Sequence, residues 1–234
     1  SDPLFLRMAL ESVRFAYKFR TLSEKAVEAI CDELIMQADA NALIIYLLDY
    51  VNAYIVRATP EHSQDDMLRH LLSVIFVSRD GLSQKEIMGL LNMLTGKPVN
   101  ETTQGVAQYL IDTFCMRVGD LYSFSHSAMA DIVRSKYIQT RSVLIRLHFQ
   151  MAKYFGQLPP CSRKLECLPH HLQVAGSWSR VKNVLTDLEL FHMWWSEDFK
   201  NDFLRSWLAL TRKTPEEDGK LEGRNRPTFD IVDE

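Results

Sequence analysis

Apolar residues recur at steps of three and four along the first 56 residues, a spacing that predicts three consecutive helices. The first helix follows Pro3, because proline fits the first turn of a helix. Ser23 is suited to cap the second helix, and the apolar run Ala42 to Val56 predicts the third. The polar stretch Thr59 to Asp65 then interrupts the pattern. We therefore predict a small helical domain over residues 1–58.

Three further helices are predicted between residues 66 and 114. Their apolar positions again follow helical spacing, and short polar loops separate them. The stretch Arg79 to Leu82 is typical of a turn between two of these helices. Ser83 stands three residues before Glu86, which is the spacing of a capping box at the start of the next helix.

A β-hairpin is predicted directly after these helices. The pair Gly119-Asp120 supplies a tight turn between two runs of strand-forming residues, 115–118 and 121–124. Helical spacing then returns as far as Tyr137. Three helices followed by a hairpin is the order of a winged helix, which we predict for residues 66–138.

The rest of the chain up to residue 213 has helical spacing in consecutive segments joined by short loops. Gly176 is placed to end one of these helices. Because paired helices with short loops build solenoids, we predict a helical-pair array over residues 141–213 as the start of one. Residues 214–234 are polar and rich in glycine and charge, which predicts a linker or disordered tail. The fold class predicted for the whole chain is mainly α.

Aromatic residues recur every four positions near the end of this array. They are Phe191, Trp195, Phe199, Phe203 and Trp207. A single helix carrying all of them would present one aromatic face. We expect that face to pack against the next helix of the array, and a partner helix is the alternative.

Composition and charge are those of a folded protein without a general affinity for polyanions. The chain is 47% hydrophobic and 24% charged, and its net charge is -3. The most apolar run, 42–56, contains Asp49 and Asn52 and falls short of the roughly 20 residues that span a bilayer. No secretory signal is visible, and four cysteines are too few for a disulfide-stapled domain. We expect a cytoplasmic protein without a membrane span, and the start at Ser1 within a helical pattern suggests a segment of a longer chain.

The helix that would read DNA in a winged helix, residues 102–115, contains no Lys or Arg and includes Asp112. Lys97 and Arg117 nearby would neutralise too few phosphates for a stable complex. DNA binding is therefore the least favoured function, and no nucleic-acid partner is expected.

Motifs for catalysis are missing from the sequence. Gly96 and Lys97 are followed by Pro98, and Leu91 stands where a phosphate-binding loop needs its first glycine. Neither a serine nucleophile elbow nor an HExxH pair occurs. We predict no catalytic residue in this segment and no enzymatic activity of its own.

Four residues with metal-binding side chains lie close together in the sequence: Cys161, Cys167, His170 and His171. Their spacing does not match the paired knuckles of zinc sites, and adjacent histidines on a helix point about 100° apart. We predict no metal site, and instead a helix that starts after Pro169 with one histidine packed and one solvated.

His126 is the residue best placed for ligand binding, because it stands where the hairpin passes into a helix. The first turn of a helix carries free backbone N–H groups and the positive end of the helix dipole, so a histidine there can donate to a phosphate. A capping or packed histidine is the alternative at the same position.

The order of these features resembles the region after the nucleotide-binding core of STAND ATPases, the NACHT and NB-ARC class of switch proteins. SDPLFL at the start looks like the G-x-P motif, and YSFSHSAMADIV is similar to the MHD-type motif. The resemblance implies that Pro3 lines the adenine pocket and that His126 contacts the β-phosphate of ADP. Ser127 stands where that motif has Asp, and Ser1 where the other has Gly.

A later stretch, LIRLHFQMAKYF followed by LECLPHHLQVAGSWSRVKNVLTDLELF, resembles tetratricopeptide-repeat NACHT proteins of the nephrocystin type. This implies a regulatory and scaffolding segment of an ADP/ATP switch, coupling an upstream nucleotide-binding domain to repeats that bind proteins. The longer protein would use ADP or ATP with Mg and could be an ATPase, whereas this segment alone would hold no cofactor. The alternative is a pure protein-interaction scaffold with degenerate nucleotide binding.

Overall fold

The structure, a computed structural model, describes residues 2–19, 24–58 and 66–212. Within these ranges the chain forms twelve helices and one small three-stranded sheet, which confirms the mainly helical class. The chain divides into two compact units, residues 1–154 and 155–234. The predicted cap at Ser23, the boundary at residues 59–65 and the tail at 214–234 lie outside the described residues.

The first unit begins with three helices, α1 (Pro3–Phe19), α2 (Glu24–Ile35) and α3 (Ala40–Ala58). Pro3 is the first residue of α1, as its fixed backbone angle predicts. Phe15 of α1 is fully buried among aromatic rings of α1, α3 and a later helix. Among the described helices, none is both long and apolar enough to cross a membrane.

The middle of the first unit combines helices with the sheet. Its elements are α4 (Met67–Val77), β1 (Leu82–Ser83), α5 (Gln84–Thr95), α6 (Glu101–Phe114), β2 (Cys115–Val118), β3 (Leu121–Phe124) and α7 (Ser127–Tyr137). The strands pair antiparallel in the order β1-β3-β2. The predicted hairpin is confirmed, with Gly119 in the left-handed conformation at its turn (φ 61°).

Strand β1 was not predicted, since the sequence indicated only a turn at residues 79–82. Leu82 pairs with Tyr122 across the sheet. Gly81 makes this pairing possible, because a Cβ there would lie 2.7 Å from the backbone oxygen of Tyr122 and its φ is +91°. Two residues of strand are too few to show an alternating pattern in the sequence.

The capping box at the start of α5 is confirmed. The Ser83 hydroxyl accepts from the Glu86 backbone N–H at 3.2 Å, and the Glu86 carboxylate accepts from the Ser83 N–H at 2.7 Å. Replacing Ser83 by Ala removes one of these acceptors. We expect Ser83→Ala to lower the free energy of unfolding by about 1 kcal/mol in chemical denaturation. Ser127→Ala, at an exposed first helical position, should change it by less than about 0.5 kcal/mol, and equal effects would contradict the role of the cap.

Helix α8 (Arg141–Gly156) runs from the first unit into the second. The second unit continues with α9 (Ser162–Val174), α10 (Trp178–Leu185), α11 (Leu188–Trp194) and α12 (Lys200–Arg212). Gly176 adopts φ 74° directly after the cap residue of α9, as predicted for a helix end. The prediction of a helix beginning after Pro169 is wrong, because α9 begins at Ser162 and continues through the buried proline.

The prediction of one helix face carrying the five aromatic residues at four-residue spacing is also wrong. Trp195 ends α11 as its C-cap, and a turn separates it from Lys200, where α12 begins. Asp187 caps α11 by accepting from the Glu189 N–H at 2.9 Å, so a separate short helix begins at this point. The aromatic residues therefore belong to two helices and the turn between them.

Candidate functional site

His126 is the N-cap residue of α7. Its Nδ1 accepts a hydrogen bond from the Ala128 backbone N–H at 3.2 Å, and the side chain is exposed. The sequence left capping and anion binding open for this histidine, and the structure shows the cap. A neutral imidazole that accepts at Nδ1 carries its proton on Nε2, so a donor remains for a ligand.

The residue before the histidine ties this helix start to α6. Ser125 donates twice to the Phe114 carbonyl oxygen, from its backbone N–H and from its hydroxyl, both at 2.9 Å. The pairing of Cys115 with Phe124 in the hairpin brings the two ends together. His126 is therefore held at the C-terminal end of α6.

Pro3 begins α1 and is exposed. One turn later, the Arg7 guanidinium donates to the Thr113 carbonyl oxygen at 3.0 Å. Since Thr113 precedes Phe114 at the end of α6, the starts of α1 and α7 both lie at that end. Arg7, one turn after Pro3, and Ser125, directly before His126, thus contact neighbouring carbonyl groups at the end of α6.

The residues considered for metal binding have different environments. His171 is fully buried and stacks on Phe155, with ring centroids 5.9 Å apart and planes 8° from parallel. His170 is half-buried and meets His171 edge-on at 5.1 Å. Cys167 is buried on α9, whereas Cys161 is the half-exposed residue before the helix. The packed histidine is therefore His171.

The groups near the predicted DNA-reading helix carry little free positive charge. Arg117 pairs with Asp120 at 2.6 Å across the hairpin turn and lies over the Tyr122 ring.

The Cys115 thiol at the start of the hairpin is not activated. Burial, with a smaller contribution from Asp112, raises the pKa of this thiol to about 12. That thiol is consequently protonated at neutral pH and is a poor nucleophile.

Large apolar side chains are exposed on the last two described helices of the second unit. Leu188 is 81% exposed, Trp195 53% and Phe191 43%. Leu204 and Leu208, one turn apart on α12, are exposed as well. We call these five residues the α11–α12 surface. Large exposed apolar side chains that lie next to one another are typical of interaction sites.

Two rings of the α11–α12 surface are held in place by their neighbours. Phe191 and Trp195 stack with centroids 6.1 Å apart and planes 14° from parallel, and the Lys200 ammonium lies 5.1 Å from the centre of the Trp195 ring. Phe203 contacts both rings from α12, and it packs on the fully buried Trp194 at 5.7 Å. The buried members of this cluster are therefore Trp194 and Phe203, and the four-residue spacing did not include Trp194.

The chain is similar to a TPR repeat-containing protein of Dictyostelium discoideum, with 23% identity over 215 residues. The matched region covers 92% of this chain and 12% of the length of that relative. No family model matches the chain. No solved structure matches it either.

Proposed function

We propose that this chain is a protein-interaction segment of a larger scaffold, and that the α11–α12 surface binds the partner. The exposed, stacked Phe191 and Trp195 carry this proposal. Aromatic side chains lose little conformational entropy on binding, and tryptophan is enriched among residues that dominate interface energies. The resemblance to a TPR repeat-containing protein supports it, since helical repeats offer extended surfaces for other proteins.

The chemistry of this surface favours the apolar face of an amphipathic helix as partner. The five residues that define it are aliphatic or aromatic, and Phe191 and Trp195 are one turn apart, as are Leu204 and Leu208. A partner helix with apolar residues at three- and four-residue steps matches that spacing. Lys200 beside Trp195 favours an acidic residue at the edge of such a helix.

Site-specific photocrosslinking tests this function directly. A photoreactive phenylalanine analogue at position 195 should crosslink one defined protein in cells. The same analogue at Val174, which is similarly exposed in the second unit, should not yield that product. Identical products from both positions, or none from position 195, would rule out a specific partner at this surface.

A nucleotide-dependent switch is the second candidate, and the position of His126 favours it. The order of three helices and an antiparallel hairpin supports a winged-helix interpretation of residues 66–138. The resemblance to STAND ATPases implies that such a domain touches ADP held by an upstream core. His126 retains an Nε2–H donor while its Nδ1 caps α7, so capping and phosphate contact are compatible.

In the full-length protein, His126→Ala is expected to speed the release of bound ADP by about tenfold, the effect of one lost hydrogen bond to a charged group. Since alanine also removes the helix cap, His126→Ser is the sharper variant: serine caps helices well, but its side chain is shorter than the imidazole and lacks the Nε2–H donor. Lys97→Ala should leave release unchanged. Fluorescent-ADP dissociation measures all three, and wild-type rates in both His126 variants would exclude the contact.

A further inference from the structure

A cavity of about 260 Å³ lies in the first unit between α4, α5 and α8. Its polar lining comes from Arg69, His70 and Ser73 of α4 and from Arg146 and Gln150 of α8. Three aliphatic side chains complete the wall. At about 30 Å³ per water, the volume corresponds to roughly nine water molecules, which leaves room for a small organic anion.

The face of α8 that borders this cavity departs from the usual pattern of a packed helix. Its lining residues are Val143, Arg146, Leu147 and Gln150, at the spacing i, i+3, i+4, i+7. A helix packed on its neighbours normally carries apolar residues at all of these positions. Half of this stripe is instead polar: Gln150 is half-buried, and Arg146 is exposed.

The charges around the cavity are predominantly positive. Arg69 and Arg146 approach it from different helices, although the chain as a whole has a net charge of -3. Asp66 partly offsets Arg69 through a contact of 3.2 Å, but both groups are well exposed, so the pair is weak. Arg146 forms no ion pair with any residue in the described ranges. Two like charges on one small cavity are stabilised when an anion lies between them.

We propose that this cavity binds a small phosphate monoester. The guanidinium groups of Arg69 and Arg146 donate to the phosphate oxygens, a pairing that suits their planar fork of N–H groups. The Ser73 hydroxyl and the Gln150 carboxamide are further donors for the remaining oxygens. The aliphatic wall, which includes Leu94, faces the organic part of the ligand. Binding here does not require the α11–α12 surface.

Titration of the 234-residue chain with inorganic phosphate, followed by NMR chemical shifts, tests the site. The ionic strength is held constant with chloride so that screening does not change. We expect saturable shifts of the α4 and α8 amides that border the cavity. Arg146→Gln should weaken phosphate binding about tenfold, whereas Arg141→Gln, an exposed arginine of the same helix outside the cavity, should leave it unchanged.

Gln150→Glu provides a second test, because it places a carboxylate in the cavity with almost no change in side-chain volume. It should abolish the saturable shifts while the thermal unfolding midpoint stays within a few degrees of wild type. Shifts that do not saturate, or that respond equally to Arg146→Gln and Arg141→Gln, would overturn the proposal. Glycerol phosphate binding more tightly than inorganic phosphate would support an ester as the ligand, and tighter binding of inorganic phosphate would overturn that part.

Discussion

Phe15→Ala is expected to lower the free energy of unfolding by about 3–5 kcal/mol, the usual cost of removing a buried phenylalanine. The Phe15 side chain is fully buried. Its ring lies 4.7 Å from Phe19, 5.9 Å from Tyr50, 5.6 Å from Tyr54 and 5.3 Å from Tyr109. The substitution therefore leaves a cavity where α1, α3 and α6 meet, and aromatic contacts are lost in addition to apolar burial.

Urea denaturation followed by circular dichroism measures this effect. Tyr17→Ala is the matched control, since Tyr17 is an aromatic residue of the same helix that is 63% exposed. Its substitution should change the free energy of unfolding by less than about 0.5 kcal/mol. Similar losses in both variants would contradict the position of Phe15 at the centre of this core.

The double variant Phe191→Ala and Trp195→Ala is expected to weaken partner binding about a hundredfold. Truncating one aromatic residue at the centre of an interface commonly costs 2 kcal/mol or more, and roughly 1.4 kcal/mol corresponds to tenfold in affinity. Both side chains are about half exposed, and the buried Trp194 and Phe203 should stay in place when they are removed. The thermal unfolding midpoint of the double variant should accordingly stay close to wild type.

The structural features that were predicted correctly from the sequence depend on residues that are close together along the chain. The capping box of Ser83 and Glu86 and the tight turn at Gly119 are set by local backbone chemistry, and the structure confirms both. Strand β1 depends instead on Tyr122, some forty positions along the chain, and two residues carry no periodic signal. Tertiary pairing of this kind is not visible in local sequence.

The second unit shows how a periodic pattern can mislead. Four-residue spacing placed Trp195 and Phe203 on one helix, although polar residues between them favoured a break. Ser196-Glu197 was the available signal for that break, because Ser is a preferred helix cap, and Asp187 marks the start of α11 in the same way. Spacing identified the aromatic cluster but not which rings are covered, since exposure depends on how α11 and α12 pack.

The candidate sites could be predicted only in part from the sequence. His126 was singled out by its position between a strand and a helix, and the structure adds the Nδ1 cap and the nearby end of α6. The nucleotide contacts of His126 and Pro3 remain predictions. The cavity beside Arg69 and Arg146 was not predicted, because its lining comes from three helices that are separated in sequence.

Isothermal titration calorimetry with the partner identified by crosslinking at position 195 tests the central claim most directly. The full chain, the Phe191→Ala and Trp195→Ala double variant and the control Val174→Ala are each titrated with that purified partner. We predict a dissociation constant about a hundredfold higher for the double variant and unchanged for Val174→Ala. Equal dissociation constants for all three proteins would contradict binding at the α11–α12 surface.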